Sequence, residues 1–254
     1  MPISRGSVDD RLGWVILLNV RSDLHSELEA VAKAKRYHLW LASVLSPYLV
    51  DPVLEIGAGI GTLAVQLASL GHAVIASELD PVMEPALREN THAAQTMTVG
   101  IGVTLPATDP IVTHQAPATV LMSNVIEHIE EDVDALASLI RHLEPASRLV
   151  VVAPAHQWAH TGLDDRLGHY RRYTKSTLDR AITSAGWTVS TVRYFNPIGA
   201  LTWAISGHLL RRTSITGWQT AIVEALVPLL RRVDRTLSGR WLGQSVIAVA
   251  DRPA

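Results

Sequence analysis

Residues 53–61, VLEIGAGIG, decide the fold of this chain. Their first four residues form a short apolar run that contains one acid, Glu55, and that stops at alternating glycines. Such a run predicts a buried strand entering a tight turn, because glycine permits the turn and lets a ligand approach the backbone closely. A helical pattern, GTLAVQLASL, follows over residues 61–70, so the segment predicts strand, loop and helix in that order.

The same alternation of strand and helix patterns continues along the chain. Further strands are predicted over His72–Ser77, near Thr98–Val103, and over Thr119–Ser123, Arg148–Ala153, Trp187–Tyr194 and Ser245–Ala250. Helices are predicted over 23–49 with a break at Pro47, from Pro81 toward Asn90, and over 130–142, 175–185 and 198–235. This order predicts a doubly wound α/β fold with a mostly parallel, seven-stranded sheet and helices on both faces. In such sheets, ligands bind at the carboxyl ends of the strands.

Length and composition limit the class of protein. The 254 residues, of which 48% are hydrophobic, suffice for one large domain. We expect N-terminal helices over 1–50, a cofactor-binding core over 51–196, a helical insert over 197–242 and a last strand over 243–254. A net charge of −2 disfavours nucleic acid as a partner. The lack of cysteine excludes disulfides and thiolate chemistry and agrees with a cytoplasmic protein, and no segment has the length of a transmembrane helix.

Two acids narrow the choice of ligand at the glycine loop. Glu78 ends the second predicted strand, where a carboxylate can accept hydrogen bonds from the ribose hydroxyls of an adenosine ligand. Glu55, directly ahead of the loop, would repel a pyrophosphate but attract the ammonium of a methionine group. The glycine spacing is G-x-G-x-G rather than the G-x-G-x-x-G of nicotinamide enzymes, which disfavours a nicotinamide-dependent reductase.

Three segments in order resemble those of class I S-adenosylmethionine-dependent methyltransferases. Residues 53–83, VLEIGAGIGTLAVQLASLGHAVIASELDPVM, resemble the first two motifs of that family. Residues 123–136, SNVIEHIEEDVDAL, resemble its fourth-strand motif, and residues 148–154 its fifth strand. Residues 154–174, PAHQWAHTGLDDRLGHYRRYT, resemble a subgroup with a PAH…GHYRRYT signature. The resemblance covers roughly residues 36–195.

The resemblance implies a cofactor, S-adenosylmethionine, with S-adenosylhomocysteine as its product. It also implies a set of cofactor-binding residues: Glu55, Gly57, Ala58 and Gly59 at the methionine portion, Glu78 at the ribose, Leu79 at the adenine, and Asn124 and Val125 from the fourth strand. Asp80 is an alternative ribose ligand. The family's acid after the third strand has only Asp109 as a counterpart, and a backbone contact to the adenine is the alternative. Tyr37 either covers the methionine end or is a packed aromatic residue.

Methyl transfer requires alignment and desolvation of the acceptor and, for N–H or O–H acceptors, removal of a proton. Three histidines are candidates for that base, because imidazole titrates near neutral pH: His128, His156 and His169. His169 has a structural alternative, which we favour, in which it belongs to a network with the neighbouring Asp and Arg residues. For His156 the two alternatives stand level, and His128 can instead shape the cofactor pocket. No metal constellation is evident, and none is required for the reaction.

The sequence therefore predicts methyl transfer to an N, O or C nucleophile of a small molecule, in the biosynthesis of a secondary metabolite. The alternative is a non-methylating protein of the same fold, either a cyclase or a cofactor-binding partner. The apolar insert over 197–242 is expected to cap the acceptor pocket or to form a homodimer face, and a membrane-surface role ranks below these.

Overall fold

The computed structural model describes residues 34–92, 97–101, 116–204, 217–237 and 241–253. Within these residues the chain forms a seven-stranded sheet with the strand order β3-β2-β1-β4-β5-β7-β6. The strands are β1 (Val53–Ile56), β2 (Val74–Glu78), β3 (Met97–Ile101), β4 (Thr119–Ser123), β5 (Arg148–Pro154), β6 (Thr188–Phe195) and β7 (Ser245–Asp251). The first five pair in parallel, and β7 runs antiparallel between β5 and β6. The predicted fold class is confirmed.

Eight α-helices are described between and around these strands. They are α1 (Lys35–Leu45), α2 (Thr62–Ser69), α3 (Glu84–Thr91), α4 (Asp132–His142), α5 (Gly162–Leu167), α6 (Lys175–Ser184), α7 (Pro197–Ala204) and α8 (Gly217–Leu237). Most lie where the pattern predicts a helix, with ends that differ by a few residues. The short helix α5 has no counterpart in the sequence prediction, because its six residues are too few to show an apolar period. Residues 1–33, Asp109 and residues 205–216 lie outside the described residues.

Apolar side chains cover both faces of the sheet. One cluster packs α4 and α6 against one face and contains Leu136, Leu139 and the fully buried Trp187. The other packs α1 and α2 against the opposite face and contains Trp40 and Phe195. Strands such as β4 and β5 are continuous apolar runs for this reason, since a central parallel strand is buried on both sides. Polar groups are consequently concentrated at the strand ends.

Helices α7 and α8 occupy the segment between β6 and β7, where the sequence predicts a helical insert. Helix α8 packs on α1 through Val227 and Leu230, and its Glu224 carboxylate accepts hydrogen bonds from the backbone amides of Arg36 and Tyr37. A carboxylate at a helix N-terminus satisfies unpaired amides and complements the helix dipole. The two segments outside the sheet therefore bind each other. None of the helices in the described residues is both long and apolar enough to cross a membrane.

Candidate functional site

The glycine loop between β1 and α2 has left-handed backbone at three glycines. Gly57, Gly59 and Gly61 have φ values of +70°, +57° and +80°. A Cβ atom on Gly57 would lie 2.6 Å from Cγ2 of Val125, whereas a Cβ atom on Gly59 would have nothing within 4 Å. The loop is therefore packed against the end of β4 at Gly57 and faces open space at Gly59. That open side is where a ligand can approach the backbone.

Glu78, at the end of β2, holds this loop in place. Its carboxylate accepts hydrogen bonds from the backbone amides of Gly59, Leu79 and Asp80, at 2.7, 2.8 and 3.0 Å. Glu78 is only 4% exposed. An ionised carboxylate has about four acceptor positions, so roughly one remains for a ligand. Glu78 is thus both a structural clamp of the loop and a candidate ligand contact.

Glu55, in β1, is the second acid at this edge. It is buried, and its Oε2 has no hydrogen-bond partner among the described residues. Burial and the nearby charge of Glu78 raise the pKa of Glu55 to about 8, against a backbone hydrogen bond from Ala64 that lowers it. Glu55 is therefore protonated at neutral pH in the protein alone. A cation placed against it would favour its ionised form.

The end of β4 completes the same edge. Asn124 has a φ of +53° and donates its backbone amide to the Val152 carbonyl of β5, and Val125 turns back onto Gly57. Ala58 donates its amide to the Ser77 carbonyl of β2. The structure thereby brings together the ends of β1, β2 and β4, which carry eight of the nine predicted cofactor residues: Glu55, Gly57, Ala58, Gly59, Glu78, Leu79, Asn124 and Val125.

Tyr37, the ninth, has its described contacts elsewhere. Its ring lies 6.0 Å, between centroids, from both Trp40 and Phe195. Burial raises the pKa of Tyr37 to about 12, although a side-chain hydrogen bond with Asn196 lowers it. These contacts are those of a packed aromatic residue at the end of β6. A role over the methionine portion stays a prediction.

Asp164 organises the segment after β5. This fully buried carboxylate accepts hydrogen bonds from the Thr161 amide and hydroxyl, from Nδ1 of His169 at 2.8 Å and from Nε of Arg172 at 2.8 Å. Although burial opposes ionisation, the bonds from His169 and Arg172 hold the pKa of Asp164 well below its usual range. The GHYRRYT motif is therefore joined to α5 through one carboxylate.

The rest of that motif joins the segment to β4 and β5. The Tyr170 amide donates to the Glu127 carbonyl, and the Tyr173 hydroxyl donates to Oδ2 of Asp132 at 2.6 Å. Burial and this bond to Asp132 raise the pKa of Tyr173. Arg171 also binds Asp132, at 3.0 Å. These bonds support the structural alternative for the motif.

His156, two residues after β5, is joined to this network only through its backbone amide, which donates to the Tyr173 carbonyl at 2.8 Å, among the hydrogen bonds of the described residues. It is 6% exposed, has a φ of +64°, and its ring lies against Tyr194 and Trp158 with centroids 4.6 and 5.4 Å away. Its Nε2 accepts a hydrogen bond from the Gly243 amide at 3.4 Å. Burial, and then the charge of Arg172, lower the pKa of His156. The ring is accordingly neutral at pH 7, the state that a proton acceptor requires.

His128 and His169 meet beside Glu127, which the sequence does not single out as a functional residue. The two imidazole rings lie edge to face, with centroids 4.7 Å apart. Nε2 of His169 lies 4.0 Å from Oε1 of Glu127. Burial, and then the proximity of His169, lower the pKa of His128 to about 4. Burial also raises the pKa of Glu127 to about 8.

A separate concavity lies between α1 and α8. This open groove has a volume of about 630 Å³ and is lined by Arg36, Leu39, Val227, Pro228, Arg231 and Arg232. None of its lining residues belongs to the edge formed by the ends of β1, β2 and β4. The chemistry implied by the glycine loop and the buried acids is therefore located at the strand ends and not in this groove.

A family model described as a methyltransferase domain matches residues 22–192. Among curated proteins, the chain is similar to the Probable ribosomal RNA small subunit methyltransferase A of Methanosarcina mazei, with 42% identity over 77 residues. That match covers 29% of this chain and 28% of the length of the relative. The chain thus spans less than a third of that relative.

Solved structures share the fold over most of the chain. A chain of the complex between the Haloferax volcanii Trm112 methyltransferase activator and its methyltransferase has a TM-score of 0.60 and 15% identity, covering 92% of this chain and 100% of that one. The glycopeptide N-methyltransferase MtfA, complexed with S-adenosylmethionine, has a TM-score of 0.53 and 16% identity over 85% and 87% of the two chains. The [4+2]-cyclase SpnF has a TM-score of 0.56 and 14% identity over 85% and 82%.

Substitutions of Asp164 and of its exposed neighbour Asp165 test the structural role of the buried Asp164 carboxylate. We expect Asp164→Asn to lower the free energy of unfolding by about 3–5 kcal/mol, because Arg172 loses its buried charge partner. The matched control is Asp165→Asn, whose side chain is 72% exposed, and it should change stability by less than about 0.5 kcal/mol. Urea unfolding of the three proteins measures both values. Similar losses in the two variants would contradict the assignment.

Alanine substitutions at Gly57 and Gly59 distinguish the glycine that packs against Val125 from the glycine that faces open space. We expect Gly59→Ala to cost about 1–2 kcal/mol of stability, from the left-handed backbone alone. Gly57→Ala should cost about 1–3 kcal/mol more, because its Cβ atom would collide with Val125. Chemical unfolding gives the two losses. Equal losses would show that the loop is not packed on Val125 in solution.

Glu55 predicts a pH dependence of stability. The unfolded chain releases the Glu55 proton near the usual pKa of about 4.3, whereas the folded protein keeps it up to about pH 8. Stability should therefore fall, by up to a few kcal/mol, as the pH rises through this window. Glu55→Gln should lack this part of the loss. The free energy of unfolding of the variant should therefore rise relative to that of the wild type as the pH increases. Urea unfolding at several pH values checks this, and parallel curves would refute it.

Proposed function

The chain belongs to the methyltransferase domain family, with S-adenosylmethionine as its cofactor, and we propose that it methylates a small molecule. The acceptor atom is an N, O or C nucleophile, the second product is S-adenosylhomocysteine, and the setting is the cytoplasmic biosynthesis of a secondary metabolite. The observation that carries the proposal is the glycine loop, which is clamped by Glu78, open at Gly59 and backed by an unpartnered oxygen of Glu55.

The residues at this edge fit the cofactor chemically. The left-handed backbone at Gly59 leaves room that a side chain would fill. The unpartnered Oε2 of Glu55 supplies a buried acceptor, and a methionine ammonium is a cation that would stabilise its ionised form. Leu79, Asn124 and Val125 would line the adenine and the middle of the cofactor. Burying the Glu55 carboxyl without such a partner is costly, which supports a cationic ligand there.

Glu78 would hold the ribose while it keeps the loop in shape. Three of its acceptor positions are already used by backbone amides, so contact with both ribose hydroxyls requires one of those bonds to lengthen. The Gly59 amide is the one that belongs to the glycine loop itself. Cofactor binding and loop conformation would therefore be coupled through Glu78.

When bound, the cofactor would supply a methyl group on a sulfonium centre, and the neutral thioether S-adenosylhomocysteine is the leaving group. The protein then has to orient the acceptor, exclude water and, for N–H or O–H acceptors, receive a proton. His156 is the candidate proton acceptor: the lowered pKa keeps its imidazole neutral, and its Nε2 lone pair becomes available once the long 3.4 Å bond from the Gly243 amide is released. His169 is a positioning residue in this proposal, since its Nδ1 is committed to Asp164. His128 is held neutral by burial and lies beside it.

A small acceptor is favoured over nucleic acid on charge. The net charge of −2 gives the chain no overall attraction for a phosphate backbone. The similarity to the Methanosarcina ribosomal RNA methyltransferase extends over 29% of this chain, a segment too short to carry that protein's substrate. Helix α8, packed on α1 at the end of β6, is proposed to border the acceptor site or to form a homodimer face.

A second candidate is a non-methylating role with the same cofactor pocket. The cyclase SpnF has this fold, and a glycine loop with Glu78 would serve a cofactor that is bound without being consumed. The two candidates differ in one product. Release of S-adenosylhomocysteine in the presence of an acceptor supports methyl transfer, and cofactor binding without it supports the second candidate.

The test begins with calorimetric titration of the protein with S-adenosylmethionine, S-adenosylhomocysteine and NADH. We expect binding of the first two and none of NADH. Glu78→Ala should weaken S-adenosylmethionine binding by about 2–4 kcal/mol, because charged hydrogen bonds to the ribose are lost. Asp80→Ala is the matched control, since Oδ1 of Asp80 only accepts from the Val82 amide at the start of a turn.

Two outcomes would contradict this assignment. Unchanged affinity in a folded Glu78→Ala protein would remove Glu78 from the site, and a loss confined to Asp80→Ala would move the ribose contact to Asp80. Methyl-labelled cofactor, incubated with small-molecule extract, RNA and protein fractions, then identifies the acceptor class. Label found only in RNA would overturn the small-molecule proposal.

A further inference from the structure

We propose that Glu127, His128 and His169 form a binding site for one divalent transition-metal ion, a function separate from cofactor binding. Glu127 and His128 lie in the short turn Ile126–His128 after β4, and His169 follows α5. One ligand atom from each of the three residues lies within 4.8 Å of the others. Two different loops therefore bring a carboxylate and two imidazoles to one point.

The carboxylate of Glu127 is the strongest indication of a missing partner. The residue is 0% exposed, and neither of its oxygens has a hydrogen-bond partner among the described residues. Buried polar groups are almost always paired, so such a carboxylate calls for a ligand. Arg172 carries a charge nearby, but its Nε is bound to Asp164 and its Nη1 to the Ala155 carbonyl. A bound cation would satisfy both free oxygens of Glu127.

His169 is oriented as metal-binding histidines usually are. Its Nδ1 is bound to the Asp164 carboxylate at 2.8 Å, which leaves Nε2 directed toward Glu127 at 4.0 Å. A carboxylate on the far nitrogen fixes the ring and its tautomer and raises its basicity toward a metal. Asp164 is itself fixed by Thr161 and Arg172. It is a positioning residue for the proposed ion.

His128 supplies the third ligand. One of its ring nitrogens lies within 4.8 Å of the ligand atoms of Glu127 and His169, and the His128 ring packs edge to face on that of His169 with centroids 4.7 Å apart. Each imidazole can therefore offer one nitrogen to an ion held beside the Glu127 carboxylate.

The spacing needs a small contraction. In tetrahedral coordination, ligand atoms at about 2.1 Å from one ion are about 3.4 Å apart, and only ligands on opposite sides of an ion reach about 4.2 Å. The separations here reach up to 4.8 Å, so the side chains have to draw together by on the order of 1 Å, through small side-chain rotations. The His169–Glu127 pair, at 4.0 Å, needs about half of that contraction.

The donor set selects the kind of ion. Two imidazoles with one carboxylate suit Zn²⁺, Fe²⁺, Co²⁺ or Mn²⁺, whereas Mg²⁺ and Ca²⁺ prefer oxygen donors alone. Three protein ligands leave at least one coordination position for water or for a substrate atom. The turn Ile126–His128, which carries two of the three ligands, follows Asn124 and Val125 directly in sequence.

Ion binding is measured on the full-length protein without cofactor, after tag removal and dialysis against a chelator. Calorimetric titrations with ZnCl₂, CoCl₂ and MnCl₂ should give one site per chain, and MgCl₂ should give much weaker binding. Glu127→Gln and His128→Asn should each weaken Zn²⁺ binding at least about tenfold. The controls are Glu130→Gln, on the exposed side of the same segment, and His160→Asn, which lies outside the cluster.

Several results would overturn the proposal. These are no stoichiometric binding by the wild type, unchanged affinity in Glu127→Gln, or a loss produced equally by His160→Asn. Circular dichroism establishes that each variant is folded. X-ray absorption of Zn²⁺ bound to the wild-type protein needs no variant, and it should show two imidazole nitrogens in the first coordination sphere. A spectrum without imidazole ligands would refute the metal site, and this result does not depend on whether the protein binds S-adenosylmethionine.

Discussion

Parallel pairing of β1 to β5 imposes the constraint on which the candidate site depends. Because these strands are covered by apolar side chains on both faces, polar groups are concentrated at their ends. Parallel strands all end at the same edge, so loops that are far apart in sequence become neighbours there. The contact between Gly57 and Val125, and the bond between Gly59 and Glu78, are direct results.

The buried carboxyl groups of Glu55, Glu78, Glu127 and Asp164 differ mainly in what donates to them. Glu78 and Asp164 accept several hydrogen bonds each, which makes them fixed parts of the framework. Glu55 and Glu127 have unpartnered oxygens, and burial raises the pKa of each to about 8. The first pair shapes the loops, and the second pair is available to cations. The proposed ammonium and metal sites follow from that difference.

The histidines divide in a similar way. His169 is tied to Asp164 and belongs to a network that includes the GHYRRYT motif, so its loss would disturb both the loop and any ion bound to it. His156 lies against two aromatic rings, and its Nε2 accepts one long hydrogen bond from the Gly243 amide, which has to be released before that nitrogen can receive a proton. The hydrogen bonds of each histidine thus distinguish candidates for the base that the sequence presents as equivalent.

The sequence by itself determined the alternation of strands and helices, the glycine loop at residues 57–61 and the acid at Glu78, because apolar periodicity and glycine turns act over a few residues. From those features came the fold and the expected cofactor. Only the tertiary structure decided that Glu55 keeps an unpartnered oxygen, that Asp164 rather than Asp165 is the buried hub, and that His169 reaches Glu127 and His128. The contacts of His169 with Glu127 and His128 join residues about forty positions apart, and no local pattern encodes which distant side chains the tertiary fold brings together.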